Sequence, residues 1–188
     1  MTSSFEKFIR YQWVSLRKRD LLMCALLGLC IILATGCRSS KHSAGTSSDV
    51  SPVPAVTVKD LEGNPLALSS TTGKVVVINF WATWCGPCRM EIPDLAKIHS
   101  TYKDQGLLIL GFAVDSGSAN EIARAARGFG ITYPVYIADD VQAQFKTGEI
   151  LPVTFIINRK GRIVSKLIGL QEREQFENAI LPLLKEAA

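Results

Sequence analysis

Side chains that bind metal ions are scarce in this 188-residue chain. It holds two histidines and five cysteines, and only Cys85 and Cys88 of the cysteines lie beyond residue 37. A structural zinc site needs four such ligands, usually contributed by two cysteine or histidine pairs. Because no second pair follows, a zinc site is disfavoured, and we expect neither a metal ion nor an organic cofactor.

Excess positive charge is also lacking over most of the chain. The net charge is +4, but the first 36 residues contain five Lys and Arg against two Asp and Glu. The remainder is therefore close to neutral and offers no basic surface for nucleic acid. The basic residues of the first segment, Arg17 and Arg19 among them, directly precede an apolar run, which is the layout of an export signal.

The apolar run is short for a membrane-spanning helix. It begins at Leu21 and contains about 14 apolar residues, whereas a relaxed span needs roughly 20. It ends in the sequence LATGC, which resembles the bacterial lipobox, with Ala34 where that motif usually has leucine. In that motif the cysteine, here Cys37, is lipidated and becomes the new N-terminus. The alternative is an uncleaved anchor helix with an incidental Cys37. Both interpretations tether the following residues to the outer face of a bacterial membrane, in the periplasm or cell envelope.

The composition changes twice along the chain and divides it into three parts. Residues 1–36 are the signal peptide or membrane anchor. Residues 37–54 are small and polar with two late prolines, which is typical of a flexible tether. Residues 55–188 are long enough to form one domain with its own core.

Strand and helix patterns alternate through the domain. Hairpins are predicted around Gly63 and Gly161, and continuous apolar runs predict buried strands at residues 74–80 and 107–114. A third short strand is expected at residues 135–138. Helices are predicted over residues 87–103, 119–128, 140–146 and 172–185. This order predicts an α/β fold with a mixed central sheet and helices on both faces.

Cys85 and Cys88 are separated only by Gly86 and Pro87. A disulfide that closes so short a loop stabilises little, which disfavours a structural bridge. Because a buried strand ends at Phe80 and a helix follows, Cys85 should lie at the helix N-terminus, where free N–H groups favour a thiolate. Cys88 lies one turn further and should be more buried. The pattern predicts dithiol exchange, with Cys85 as exposed nucleophile and Cys88 as resolving thiol.

The sequence around this pair, NFWATWCGPCRMEIP at residues 79–93, resembles the thioredoxin superfamily. It is most similar to the TlpA/ResA branch of membrane-tethered extracytoplasmic oxidoreductases, over about residues 50–188. The resemblance implies a thioredoxin fold with an N-terminal β-hairpin, an inserted helix and strand, and a redox-active Cys85–Cys88 disulfide. It also implies a cis bond before Pro152, facing the cysteines. The backbone of Leu151 would then pair with an extended substrate peptide.

The resemblance draws attention to one carboxylate. Cytoplasmic thioredoxins have a buried aspartate where this chain has Asn79, whereas the TlpA/ResA branch often has a glutamate that matches Glu91. Helical spacing places Glu91 on one face with Cys88, so a partly buried Glu91 with a raised pKa would tune the pair. The alternative is a surface glutamate. The remaining candidate contacts to substrate are Trp84, Gly86 and Pro87, although Trp84 could equally be a core residue.

The implied function is reduction of disulfides in exported proteins, oxidised apocytochrome c among them. The Gly-Pro dipeptide matches reducing thioredoxins and not the oxidant DsbA. Electrons would come from a membrane thiol donor of the CcdA/DsbD kind, and the protein is expected to be a monomer. Three alternatives stay open: a disulfide oxidant or isomerase; a peroxiredoxin-like peroxidase, whose Pro-x-x-x-Thr-x-x-Cys pattern is not reproduced here; and a metallochaperone, which would require Cys-x-x-x-Cys.

Overall fold

The computed structural model describes residues 51–186. The predicted signal or anchor, Cys37 and most of the predicted tether therefore lie outside the described residues. Between residues 51 and 186, no helix is both long and apolar enough to cross a membrane.

These residues form eight strands, three α-helices and three short 3₁₀ helices. The strands are β1 (Ser51–Pro52), β2 (Thr57–Asp60), β3 (Pro65–Ala67), β4 (Val75–Trp81), β5 (Leu107–Ala113), β6 (Val135–Ile137), β7 (Val153–Ile157) and β8 (Arg162–Ile168). The α-helices are α1 (Gly86–Tyr102), α2 (Ala119–Phe129) and α3 (Arg173–Lys185). The 3₁₀ helices span Leu68–Thr71, Lys103–Gln105 and Asp139–Phe145.

All eight strands belong to one mixed sheet, in the order β1-β8-β7-β4-β5-β6-β2-β3. The neighbours β4, β5 and β6 are parallel, and the other pairings are antiparallel. Every residue of β4 is buried, as its continuous apolar sequence predicts for a central strand. At the edge of the sheet formed by β1, Ser51 pairs with Ile163. The sheet therefore includes residues that were assigned above to the tether.

The three α-helices cover one face of the sheet. Val75 and Val77 of β4 point to that face and belong to a core shared with α1 and α3. The crossovers β4-α1-β5 and β5-α2-β6 both lead to the next strand in the same direction across the sheet. Because such connections are right-handed, α1 and α2 lie on the same face of the sheet. The opposite face, where Phe80 lies, is covered by the hairpin β2–β3 and the 3₁₀ helices Leu68–Thr71 and Asp139–Phe145. The predicted mixed sheet with helices on both faces is confirmed.

The helix starts follow from local sequence. Ser118 caps α2 in a capping box with Glu121. Cys85 caps α1, and Pro87 occupies the first turn, where a missing N–H is tolerated. The short helix predicted at residues 140–146 is present as the 3₁₀ helix Asp139–Phe145.

Candidate active site

Cys85 and Cys88 are joined by a disulfide, with the two Sγ atoms 2.01 Å apart. Cys85 is the N-cap of α1, and its Sγ accepts a hydrogen bond from the Cys88 backbone N–H at 3.2 Å. The predicted place of Cys85 at a helix N-terminus is therefore confirmed. The predicted exposure of Cys85 is not, because only 3% of its surface is accessible in the disulfide form, against 0% for Cys88. Both cysteines belong to a core cluster with Ile92, and Leu151 packs against that cluster.

Trp84, directly before the disulfide, is a surface residue with 65% of its area exposed. Its indole Nε1–H donates to the backbone oxygen of Asp115 at 2.9 Å. The backbone N–H of Asp115 in turn donates to the Asp139 carboxylate at 2.7 Å. This chain of hydrogen bonds fixes an exposed aromatic ring beside Cys85, so the alternative of a core tryptophan is wrong.

The loop before β7 contributes a residue that packs against the core cluster containing the disulfide. The Leu151–Pro152 peptide bond is cis, as the family resemblance implies, and Leu151 packs against the core cluster that contains Cys85 and Cys88. The Gly169 N–H donates to the Pro152 carbonyl at 2.8 Å. A groove of about 500 Å³ lies between Trp84 and Leu151. Its other lining residues are mostly polar: Asp115, Asp139, Gln142, Ala143, Lys146, Thr147, Gly148 and Glu149.

Exposed apolar side chains lie around this end of the domain. Ile168 pairs with Val153, the residue after Pro152, and Leu170 follows the glycine that bonds to Pro152. Gly86 and Pro87 are also exposed. The large apolar residues exposed in the described part of the chain are Trp84, Met90, Ile150, Ile168 and Leu170, and we call them the apolar collar. Each is close in sequence or in sheet pairing to the cysteines or to Pro152.

Glu91 is buried beneath the disulfide end of α1, with 1% of its surface exposed. Its Oε1 accepts from Asn79 Nδ2 at 2.7 Å, and its Oε2 accepts from the Gln171 backbone N–H at 3.1 Å. Burial raises the pKa of Glu91 to about 7, although the two hydrogen bonds oppose the shift. The interpretation of Glu91 as a surface residue is wrong, and its side chain can take up or release a proton near neutral pH.

Asn79, the side-chain partner of Glu91, belongs to a row of paired residues across the sheet. Asn79 of β4 pairs with Thr154 of β7 on one side and with Gly111 of β5 on the other. The same Asn79 Nδ2 that reaches Glu91 also donates to Thr154 Oγ1 at 2.9 Å. Asn79, Thr154 and Glu91 are all buried. Sequence analysis missed Thr154 and Gln171, since only the strand register brings Thr154 to Asn79 and only the packing of the loop before α3 brings Gln171 to Glu91.

Gly111 in this row makes room for two aromatic rings. A Cβ atom at Gly111 would lie 3.1 Å from Tyr133 Cε2 and 3.2 Å from Trp81 Nε1, closer than side chains normally approach. Tyr133 is buried near Glu91, and its pKa is raised first by burial and second by the negative charge of Glu91. Glu91 is thus enclosed by apolar surface and has few partners, which is the physical origin of its raised pKa.

The protonation of Glu91 should make stability depend on pH. Its pKa is 4.5 in the unfolded chain and about 7 in the fold, so the folded protein holds the proton more tightly. The resulting stabilisation, roughly 3 kcal/mol, is complete below pH 4.5 and is lost as the pH rises through 7. Glu91→Gln cannot ionise. We therefore expect the free energy of unfolding of Glu91→Gln, relative to that of wild type, to rise by about this amount between pH 4 and 8. Denaturant unfolding of the oxidised proteins measures it, and a difference that does not change with pH would contradict the raised pKa of Glu91.

Comparisons with known proteins agree with this geometry. A model of the AhpC/TSA family matches residues 51–166. The thiol-disulfide oxidoreductase ResA of Bacillus cereus is 31% identical over 161 residues, which covers 84% of this chain and 88% of that protein. The structure of a putative thiol:disulfide interchange protein DsbE from Chlorobium tepidum superimposes with a TM-score of 0.65 at 25% identity, covering 72% and 96% of the two chains. A secreted thiol-disulfide isomerase from Corynebacterium glutamicum gives a TM-score of 0.68 at 25% identity, covering 79% and 96%.

Proposed function

Because the chain belongs to the AhpC/TSA family of the thioredoxin superfamily and is a thiol-disulfide oxidoreductase, we propose that it reduces disulfides of exported proteins outside the cytoplasm. The observation that carries this proposal is the Cys85–Cys88 pair at the N-terminus of α1, beside the Leu151–Pro152 loop and above a buried carboxyl group. These parts supply a nucleophile, a resolving thiol, a peptide-binding edge and a proton acceptor.

The reaction proceeds by two thiol–disulfide exchanges. In the reduced protein, the Cys85 thiolate attacks one sulfur of the substrate disulfide, and the other substrate sulfur leaves as a thiolate. Cys88 then loses its proton and attacks Cys85 Sγ, which releases the second substrate sulfur and leaves the Cys85–Cys88 disulfide. Two electrons pass from the protein to the substrate. Glu91, one helical turn beyond Cys88, takes up the proton that Cys88 loses.

The surface around the disulfide fits a protein substrate better than a small thiol. The apolar collar presents side chains that a folded monomer normally buries, so it favours contact with a second polypeptide. The backbone of Leu151 offers an edge to an extended substrate strand, and the groove beside Trp84 receives the residues that follow. Trp84, Gly86, Pro87, Leu151 and Pro152 are the proposed substrate contacts. Oxidised apocytochrome c is a candidate substrate because its haem-binding cysteines lie in an extended segment when unfolded.

The direction of electron flow and the compartment rest on the sequence. The Gly-Pro dipeptide between the cysteines is that of reducing thioredoxins. The export signal, with Cys37 as a lipidation site or the apolar run as an anchor, places the domain at the outer face of a bacterial membrane. A reductant there requires electrons from across the membrane, which a membrane dithiol donor of the CcdA/DsbD kind would supply.

The redox potential of the Cys85–Cys88 pair tests this function. Equilibrating the protein with glutathione mixtures should give a value close to that of thioredoxin, about −270 mV, and the reduced protein should reduce insulin disulfides. A potential of about −120 mV would exclude a reductant and leave a disulfide oxidant. Peroxide consumption with no insulin reduction would instead favour a peroxidase.

A further inference from the structure

The amide of Asn79 has a defined orientation between two oxygen atoms. Its Nδ2 carries two hydrogens, and these go to Glu91 Oε1 at 2.7 Å and Thr154 Oγ1 at 2.9 Å. The Oδ1 of Asn79 is buried without a hydrogen-bond partner. An asparagine normally uses both ends of its amide, whereas here the nitrogen makes two hydrogen bonds and the oxygen makes none.

This orientation favours the ionised form of Glu91, although the carbonyl oxygen of the protonated form can also accept from Asn79. An ionised carboxylate accepts hydrogen bonds and cannot donate them, so the nitrogen of Asn79 must face it. If the amide turned over, Asn79 Oδ1 would face a carboxylate oxygen at a hydrogen-bond distance and repel it. A protonated Glu91 could donate to that oxygen instead. The orientation of the amide therefore decides how readily Glu91 loses its proton.

Thr154 is the second acceptor of the Asn79 amide nitrogen in the oxidised protein, and it therefore helps to hold the observed orientation. Its hydroxyl lies directly across the β4–β7 pairing from Asn79 and accepts the second amide hydrogen. We propose that Thr154 is a positioning residue of the dithiol reaction: by accepting from Asn79 it keeps the amide nitrogen against Glu91, so that Glu91 stands ready to accept the proton of Cys88. This inference rests on the proposed function and assigns to Thr154 an effect that passes entirely through Asn79.

Few other groups face Glu91. From the loop before α3 comes the Gln171 backbone N–H, and from the loop before β6 comes the buried Tyr133, whose raised pKa keeps it neutral up to high pH. On α1 itself, Cys88 lies one turn before Glu91. His99, further along α1, contacts the ring of Tyr133 and through it is linked to Glu91. The pKa of His99 is lowered by burial and by Lys103, so it is largely uncharged above neutral pH.

The test compares Thr154→Val with Thr154→Ser. Valine has nearly the shape of threonine but accepts no hydrogen bond, whereas serine retains the hydroxyl. In the oxidised proteins, the carboxyl carbon resonance of Glu91 reports its ionisation directly, and Glu91→Gln identifies that resonance by its loss. We expect Thr154→Val to raise the midpoint of the Glu91 titration by about one pH unit. Thr154→Ser should stay within a few tenths of wild type.

A second arm asks whether the effect passes through Asn79. Asn79→Ala removes the hydrogen bond to Glu91, so it should raise the midpoint at least as far as Thr154→Val. In that background, adding Thr154→Val should change nothing further, because the amide that Thr154 orients is gone. For the reduced proteins, we expect the midpoint of the pH profile of insulin reduction to be shifted in the same order among the variants as the Glu91 titration.

The outcomes separate the inference from the proposed function. Unchanged titration in Thr154→Val, or equal shifts in the valine and serine variants, would overturn the positioning role even if wild type reduces insulin. An added shift from Thr154→Val in the Asn79→Ala background would show that Thr154 acts on Glu91 by another route. A wild-type protein that reduces no disulfide would reject the proposed function but leave the titration result intact. Circular dichroism checks that each variant is folded.

Discussion

Cys88→Ala is expected to turn the protein into a trap for its own substrate. Cys85 retains its place at the N-terminus of α1, so it still attacks a substrate disulfide. Without Cys88 no thiol releases the product, and the mixed disulfide at Cys85 accumulates. Steady-state reduction of insulin should fall at least about a thousandfold, while an oxidised substrate is captured in one turnover. Non-reducing electrophoresis and mass spectrometry of the captured species would identify the physiological substrate.

The matched control is Cys85→Ala, in which the buried Cys88 is the remaining thiol. Cys88 has no exposed surface in the oxidised protein, whereas Cys85 retains 3% and directly follows Trp84, which lines the groove. Because Cys88 lies inside α1 and lacks the N-cap position that favours a thiolate, we expect little or no adduct with Cys85→Ala. Equal trapping by both variants would mean that either cysteine can attack, and it would overturn the assignment of Cys85 as nucleophile and Cys88 as resolving thiol.

The sheet and its helices could be predicted because their patterns are local. The apolar run that forms β4 and the turn residues of both hairpins each specify an element without reference to distant sequence. The helix positions of Cys85 and Glu91 also follow from spacing along α1. The cis bond at Pro152 came from family resemblance and from no physical property of the nearby residues.

What could not be predicted depends on contacts between distant segments. Thr154 meets Asn79 through strand register, and a shift of one residue in β7 would turn Thr154 to the other face of the sheet. The low exposure of Cys85 reflects its place in a core cluster to which distant segments contribute, among them Leu151, 66 positions further along the chain. Spacing along α1 shows which residues share a helical face, but it does not show what covers that face.

Asn79→Asp should create a pair of carboxyl groups that cannot both be ionised. An aspartate oxygen would replace Nδ2, which lies 2.7 Å from Glu91 Oε1 in a site with almost no solvent contact. Two buried carboxylates at this distance repel strongly, so the pair would share one proton through neutral pH and titrate as a unit. The second proton leaves only well above pH 7. Because the folded state then holds that proton more tightly than the unfolded chain, stability should fall as the pH rises through this range.

The decisive comparison is with the swapped pair, Asn79→Asp with Glu91→Gln. It restores one carboxyl and one amide but places the carboxyl on β4, where cytoplasmic thioredoxins have theirs. At pH 9 we expect the single variant to be less stable than wild type by roughly 2–4 kcal/mol and the swapped pair to recover most of that loss. At pH 5 the Asn79→Asp variant and the swapped pair should have nearly the same free energy of unfolding. Denaturant unfolding of the oxidised proteins measures this, and equal stability of both variants at pH 9 would show that residues 79 and 91 do not interact. Recovery would show that residues 79 and 91 interact directly and that the fold accepts one carboxyl and one amide in either arrangement, because that combination avoids two facing negative charges.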